Sequence, residues 1–304
     1  MAPTNLTLPP NHKSVTRKRV GFLIKLVLSA TALYFVFRKI DLQETWQTLL
    51  QTNVGFFALA LLAFNLSKVV AAFRFKRLLY PLGICLSDGY NIRLLYISMF
   101  YNLFLPGSIG GDGYKVYLLK QQHAVTVKRL AGATLLDRLS GLALLVMMTG
   151  GFLLFSSFTM DVPHYDALVV VATLLVPPGF YLVVRWFFPL FRSQFLSTTH
   201  LSFWVQTGQV LAALLLLLSL SVQQHYLDYL TLFMVSSVVA VLPFTIGGVG
   251  ARELVFLYGF QYLAIEQETA ITFTLLFFLV TAFTSLAGLF VSTKEQRSLQ
   301  RTGA

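Results

Sequence analysis

Two stretches of sequence, "LPGSIGGDGYK" at 105–115 and "LPFTIGGVGAR" at 242–252, repeat one pattern. Each contains Leu-Pro, then Ser or Thr before Ile-Gly-Gly, and a third glycine two positions before a basic residue. The second copy begins at 242, 137 residues after the first at 105. Proline and glycine both disfavour a continuous helix. Because the same helix-breaking pattern occurs twice, it indicates an internal duplication with one break in each half.

The composition determines the class of protein. The chain of 304 residues is 56% hydrophobic and only 12% charged, and its mean hydropathy is +0.72. A soluble domain of this length has no core large enough to bury so much apolar surface. Runs of about 20 apolar residues are instead long enough to cross a hydrocarbon layer about 30 Å thick. The composition therefore predicts an all-α polytopic membrane protein.

Six apolar runs are long enough to be full transmembrane helices: 20–37, 55–73, 130–158, 166–188, 202–222 and 269–291. The first run, "GFLIKLVLSATALYFVF", is longer than the apolar part of a signal peptide, about 7–15 residues, which favours a retained helix. Two further apolar stretches, 91–119 and 229–264, are each interrupted near the middle by one copy of the repeated pattern.

Charged residues at the ends of the spans indicate how the chain crosses the membrane. Basic residues precede the first and third spans and follow the second and the last: Lys13, Arg17, Lys18, Arg19, Arg74, Lys76, Arg77, Lys120, Lys128, Arg129, Lys294, Arg297 and Arg301. By the positive-inside rule, both termini are predicted to be cytoplasmic. Each interrupted stretch must then leave the membrane on the side where it entered, as a re-entrant helical hairpin.

This orientation predicts an inverted repeat. Each half holds three full crossings and one hairpin, and an odd number of crossings inserts the second half upside down. The predicted organisation is a basic cytoplasmic tail at 1–19, a first membrane repeat at 20–158, an inverted second repeat at 159–292 and a cytoplasmic tail at 293–304. Broken helices at matching positions of two inverted halves point to the central site of a transporter.

The repeated segment has the chemistry of an anion site. Pro106 and Pro243 each remove a backbone donor and break the helix. Glycines that allow close backbone approach follow them: Gly110, Gly111, Gly113, Gly247, Gly248 and Gly250. A helix that starts at such a turn points its N–H groups at an anion, and Lys115 or Arg252 stands just beyond. The alternative is that the glycines only let two hairpin arms pack tightly.

Six ionisable residues within the apolar segments sum to zero charge: Asp112, Lys115, Asp137, Arg138, Arg252 and Glu253. Such residues usually face the interior of a helix bundle. Asp137 and Arg138 are neighbours on a helix and point about 100° apart, so we expect each to pair with another group. The set is either a polar path for a lipid headgroup or a structural lock. Arg74, by contrast, is interpreted as an ordinary charge at the cytoplasmic end of its span.

Nothing in the sequence indicates a cofactor, a metal or a catalytic centre. Cys85 is the only cysteine, and the five histidines have no partners at metal-ligand spacing. Asp112 and Asp137 belong to no recognisable catalytic motif. The net charge of +11 is spread over the ends of the spans, which argues against nucleic-acid binding. We therefore predict no cofactor, no metal, no catalytic residue and no nucleic-acid partner.

Three phrases carry a resemblance to a known family: "FYNLFLPGSIGGDGYKVYLL", "LLDRLSGL" and "LPFTIGGVGARELVFL". Over about 20–291 the chain resembles the flippase-like transmembrane region of lysylphosphatidylglycerol synthases. The resemblance assigns the family's motif to Gly110, Gly111, Asp112, Lys115, Asp137, Arg138, Gly248, Gly250, Arg252 and Glu253. Lys115 stands where the family often has arginine, and lysine lacks the bidentate geometry that suits phosphate.

The resemblance implies a lipid flippase. In the full-length synthases the aminoacyl transferase is a separate soluble C-terminal domain, for which this chain has no room, so we do not expect an enzyme. The leading hypothesis is a bacterial inner-membrane translocase for an anionic, aminoacylated or other polar lipid. Lys115, Arg138 and Arg252 would meet the phosphate, and the acidic residues would balance charge. The alternatives are an accessory subunit of a lipid-modifying or glycosyl transferase and a membrane-embedded lipid enzyme.

Overall fold

The computed structural model describes residues 52–104, 110–158, 163–241 and 265–291, together with residues 255, 256, 259, 262 and 263. Contacts divide the chain into two units, Met1–Glu44 and Thr45–Ala304, and every described residue belongs to the second unit. Within the described residues, all regular structure is helical.

Eight α-helices can be followed through these residues. They are α1 (Val54–Leu79), α2 (Asp88–Phe104), α3 (Gly110–Gln122), α4 (Val127–Phe155), α5 (Tyr165–Phe187), α6 (Phe195–Ser219), α7 (Tyr226–Val241) and α8 (Gln267–Leu286). Short 3₁₀ turns extend three of them, at Tyr80–Leu82, Pro189–Gln194 and Ala287–Leu289.

Five helical segments are long and apolar enough to cross a membrane: Val54–Leu82, Val127–Phe155, Tyr165–Phe187, Pro189–Ser219 and Thr269–Leu289. They coincide with five of the six predicted spans, and the protein is a multi-pass membrane protein. The predicted span at 20–37 lies outside the described residues. The second predicted span, 55–73, ends too early because α1 continues as a helix to Leu79.

Helices α1 and α6 form a closely packed antiparallel pair at the centre of the described structure. The backbone N–H of Asn53, just before α1, donates to the carbonyl of Ser219 at the end of α6, at 2.9 Å. Further along the seam, a Cβ atom on Gly208 would lie only 2.8 Å from the Cβ of Ser67. The two backbones therefore approach to a distance that small residues alone allow.

An aromatic cluster ties α1 to the second half of the chain. The Phe64 ring packs edge-on against Phe277, with ring centroids 5.6 Å apart. Phe233 of α7 lies 4.7 Å from the same Phe277 ring. All three side chains are almost fully buried, so this cluster forms a dry core between α1, α7 and α8.

Helices α2 and α3 form an antiparallel hairpin. At its open end, the Tyr90 hydroxyl donates to Gln122 at 2.9 Å, and at the other end the Gly111 N–H donates to the Asn102 side chain at 2.8 Å. A Cβ on Gly111 would lie 1.8 Å from the Ser98 carbonyl oxygen, so glycine is required there. With 17 and 13 residues, neither arm reaches the length of about 20 residues that a spanning helix needs.

The predicted helix breaks lie outside the described residues. They comprise Pro106 in the first copy of the repeated pattern and all of the second copy, 242–252. The second interrupted stretch is described as α7, followed by helical residues at Val255 and Phe256.

We predict that Gly208→Ala destabilises the protein by about 1–3 kcal/mol, because the added methyl group overpacks the seam against Ser67. Gly179→Ala in α5 is the matched control, since nothing lies within 4 Å of its added Cβ. That variant should gain up to about 1 kcal/mol from helix propensity. Thermal unfolding of both variants in the same detergent checks the difference, and equal midpoints would contradict the close packing.

The His123 side chain, just beyond α3, predicts a pH dependence of stability. Its Nε2 is buried without a hydrogen-bond partner among the described residues, and burial lowers the pKa of this imidazole. The unfolded chain then binds the proton more readily than the folded chain, so stability should fall as the pH drops below about 6.5. Melting curves between pH 7.5 and 5.5 test this, and His123→Asn should flatten the acid part of the dependence.

Candidate functional site

Arg74 is buried in the middle of the helix bundle. Its guanidinium Nε donates to Asp137 Oδ1 of α4 at 2.8 Å, and its Nη1 donates to the Ser202 hydroxyl of α6 at 3.0 Å. Only 6% of the residue is exposed. A charge so buried is tolerated when it is paired and hydrogen-bonded, and here α4 and α6 supply the two partners.

A glycine and an amide complete the surroundings of Arg74. A Cβ on Gly141 would lie 3.0 Å from the Arg74 Nη1 atom, so the guanidinium occupies the space that a side chain at position 141 would fill. The Gln206 side-chain amide donates to the Gly141 carbonyl at 3.0 Å, which holds α6 against α4 at the same level. The sequence "DRLSGL" thus provides a carboxylate and, four residues later, the space that its partner needs.

A second partly buried carboxylate, Asp112 at the start of α3, is shared by two cations. Arg138 of α4 donates to Asp112 Oδ2 through its Nε. The Lys115 Nζ lies 3.6 Å from Oδ1, one turn further along α3. The Ser98 hydroxyl of α2 donates to the same Oδ1 at 3.5 Å. Asp112 therefore joins both arms of the hairpin to α4.

Lys115 is the most enclosed of these cations. It is only 3% exposed, and its ammonium lies 4.2 Å from the centre of the Phe75 ring of α1. A cation over an aromatic face gains about 0.5–2 kcal/mol, depending on how dry the site is. The side chain of Arg138 is 30% exposed, so the two cations that share Asp112 differ in their access to a ligand.

The described charges of this cluster do not cancel. Arg74, Lys115 and Arg138 carry three positive charges against the two negative charges of Asp112 and Asp137. Asp137 lies ten residues into α4, a depth of about 15 Å at 1.5 Å per residue. The described part of the cluster thus joins three cations to two carboxylates within apolar helices, and such cations are chemically suited to bind an anion.

Three tyrosines lie beside this cluster on the hairpin. The Tyr101 and Tyr114 ring centroids are 4.3 Å apart, and Tyr114 and Tyr117 follow at 6.2 Å. Tyr117 is exposed, whereas the other two are partly buried. The row therefore runs from the partly buried Tyr101 on α2 to the exposed Tyr117 on α3.

The structure brings together four of the predicted site residues, Asp112, Lys115, Asp137 and Arg138. As predicted, Asp137 and Arg138 pair with groups on other helices. Gly110 and Gly111 form the first turn of α3. The remaining predicted positions lie outside the described residues: Pro106, Pro243, Gly248, Gly250, Arg252 and Glu253.

The interpretation of Arg74 as an ordinary charge at a cytoplasmic span end is wrong, because α1 continues past it and buries it against Asp137. A signal for this exists in the sequence. Arg74 follows Ser67 by seven residues and Ala71 by three, so it shares their helical face, which is made of small residues. No group of three or more metal-binding side chains occurs in the part of the chain that the structure describes.

We predict that Arg74→Met costs about 3–5 kcal/mol of stability, because it leaves the Asp137 carboxylate buried without its cation. The double variant Arg74→Met/Asp137→Leu should recover much of this loss. Lys76→Met is the control, since its ion pair with Asp88 is exposed and is worth about 0–1 kcal/mol. Thermal unfolding of these proteins, together with the single variant Asp137→Leu, measures the coupling, and additive losses would contradict a buried pair.

Comparison with protein families identifies a family whose model matches two ranges of this chain. Residues 22–207 and 190–288 match the family described as the lysylphosphatidylglycerol synthase TM region. The two matches together run over most of the chain and confirm the resemblance seen in its three phrases. No curated protein matches this sequence. The chain belongs to the family of the lysylphosphatidylglycerol synthase transmembrane region.

Proposed function

We propose that this protein is a lipid translocase, which moves the polar headgroup of a membrane lipid through the interior of the helix bundle. The observation that carries the proposal is the buried ammonium of Lys115, which shares the Asp112 carboxylate with Arg138. A lipid phosphate attracts the same cations as this carboxylate, so it can take the place of the carboxylate beside Lys115.

Helix positions support an inverted repeat as the framework of this translocase. Moved by the 137 residues that separate the two sequence patterns, α2 falls on 225–241, where α7 runs from Tyr226 to Val241. The same displacement moves α1 to 191–216, close to α6, and α4 to 264–292, close to α8. We propose that the two halves insert with opposite orientation and enclose the headgroup path between them.

The α2–α3 pair supports a re-entrant hairpin in the first half. Its two open ends, at Tyr90 and Gln122, lie together, next to the end of α1 and the start of α4 in the chain. The basic residues Lys76, Lys120 and Lys128 occur at these same helix ends. We propose that this end faces the bacterial cytoplasm and that the hairpin enters and leaves the inner membrane there, as the positive-inside rule implies.

Exchange of partners at Asp112 is the proposed step of headgroup binding. Arg138 is the more accessible cation and meets an incoming phosphate first, while Lys115 moves from Asp112 to the phosphate. Lysine acts as a point charge without fixed geometry, which suits a transient contact better than a permanent one. The exchange makes and breaks no covalent bond. We propose Arg252 and Glu253 as the corresponding charges of the second half.

Lipid flipping in proteoliposomes tests this function. The lipids are fluorescent phosphatidylglycerol, its lysyl ester and phosphatidylethanolamine. Lys115→Met should lower the flipping rate by about ten- to a hundredfold, the loss expected for one charged hydrogen bond. It should leave the melting temperature nearly unchanged, because Arg138 still pairs with Asp112. Lys120→Met, at the exposed end of α3, should flip lipid like the wild type.

Two outcomes would contradict the proposal. Wild-type rates in a folded Lys115→Met variant would remove the proposed role of the buried ammonium. Absence of flipping for all three lipids, from protein shown to be folded, would favour an accessory role beside a lipid-modifying enzyme. Crosslinking in the native membrane would then identify that partner.

A further inference from the structure

A second polar region lies far from the buried charges. A cavity of about 600 Å³ opens between the segment 220–225, which joins α6 to α7, and the first turn of α8. Ser202, which contacts Arg74, precedes the end of α6 at Ser219 by 17 residues, about 25 Å along the helix. The cavity is therefore separate from the cluster around Asp112.

The described lining of this cavity is almost neutral. Its polar part consists of hydrogen-bonding side chains, chiefly Gln223, Gln224, His225, Tyr229, Glu266 and Thr269. Among the described lining residues Glu266 is the single carboxylate, and none is lysine or arginine. An amide both donates and accepts hydrogen bonds, and so does a hydroxyl group. The apolar side chains of Leu220 and Val222 complete the wall.

Hydrogen bonds made by the lining residues and by the neighbouring Asp228 hold the cavity walls in place. The buried Asp228 accepts hydrogen bonds from the backbone N–H and the hydroxyl of Ser157, each at 2.8 Å, and lies 3.3 Å from the His225 ring. On the opposite wall, the Glu266 N–H donates to the Tyr229 hydroxyl at 3.2 Å. The Thr269 hydroxyl donates to the Glu266 carboxylate at 3.2 Å. The site is thus formed before any ligand arrives.

The joining segment turns sharply at both ends. Ser221 has φ 58° and His225 has φ 59°, both in the left-handed region. Ser221 ends α6 in a left-handed cap, in which its N–H donates to the Leu218 carbonyl and the Val222 N–H donates to the Leu217 carbonyl, both at 3.1 Å. Gln223 and Gln224 lie between these two turns, are exposed and line the cavity.

We propose that this cavity binds a neutral polyhydroxylated group, such as a sugar or a glycosyl headgroup. An anionic ligand would meet Glu266, and the described lining offers it no lysine or arginine. A small cation would use one carboxylate and leave most of the volume and both amides without a role. Vicinal hydroxyls match the donors and acceptors of Gln223 and Gln224, and the aliphatic residues suit the C–H faces of a sugar ring. The cavity volume also falls in the range of ligand pockets, about 300–1,000 Å³.

Saturation-transfer NMR on the full chain in nanodiscs tests this site. The nanodiscs contain phosphatidylglycerol and phosphatidylethanolamine without glycolipid, and empty nanodiscs give the background. The probes are methyl β-D-glucoside and hexyl β-D-glucoside, with hexylammonium as the cationic comparison. We expect saturable binding of a glucoside that does not change with salt, because the ligand carries no charge.

Variants connect the binding to the cavity. Gln223→Ala/Gln224→Ala changes two exposed side chains and should weaken glucoside binding about tenfold. Gln121→Ala, an exposed glutamine of α3, is the matched control and should bind like the wild type. Binding of both glucosides identifies the sugar itself as the ligand, and binding of the hexyl glucoside alone identifies a lipid-linked sugar. Either result supports the proposal.

The proposal is overturned if neither glucoside binds saturably, or if the double variant binds as well as the wild type. It is also overturned if hexylammonium binds instead, with an affinity that falls as NaCl is raised and is lost in Glu266→Gln. These measurements require no lipid movement and use none of the residues around Asp112. The outcome is therefore independent of the flipping assay.

Discussion

A carboxylate enclosed by apolar helices needs a cation beside it, and two such ion-paired carboxylates determine how the described helices are arranged. Asp137 is neutralised by Arg74, which joins α4 to α1 and, through Ser202, to α6. Asp112 is neutralised by Arg138 and Lys115, which joins the hairpin to α4. Because desolvated charges are costly to separate, these two contacts fix where four helices cross.

The Asp137 and Asp112 ion pairs both include a residue of α4, so this helix connects the hairpin to the rest of the bundle. Asp137 and Arg138 are adjacent in α4, so a rotation that displaces one also displaces the other. One turn of α4 therefore connects the central α1–α6 seam to the start of α3. In the proposed translocase, a headgroup that takes Lys115 or Arg138 from Asp112 loosens the hairpin without touching the Arg74 pair.

The sequence predicts the membrane class, the five candidate spans of the described structure, the family and the four paired charges of α3 and α4. Hydropathy finds the spans because length and apolarity are local properties of the chain. It misses Arg74 because three basic residues near the end of an apolar run match the positive-inside rule, although α1 continues past Arg74. The cavity at Gln223 and Gln224 had no sequence signal, since its walls come from segments some 40 residues apart.

The contact between Ser67 and Gly208 has a mechanical consequence. Long side chains that interdigitate across a helix pair prevent one helix from turning against the other, because every rotamer must change at once. At Ser67 and Gly208 a hydroxymethyl group faces bare backbone. In the proposed translocase, this contact would let α1 and α6 roll against each other while their separation stays constant. Alternate opening of the two ends of the bundle would then need no gap in the apolar core.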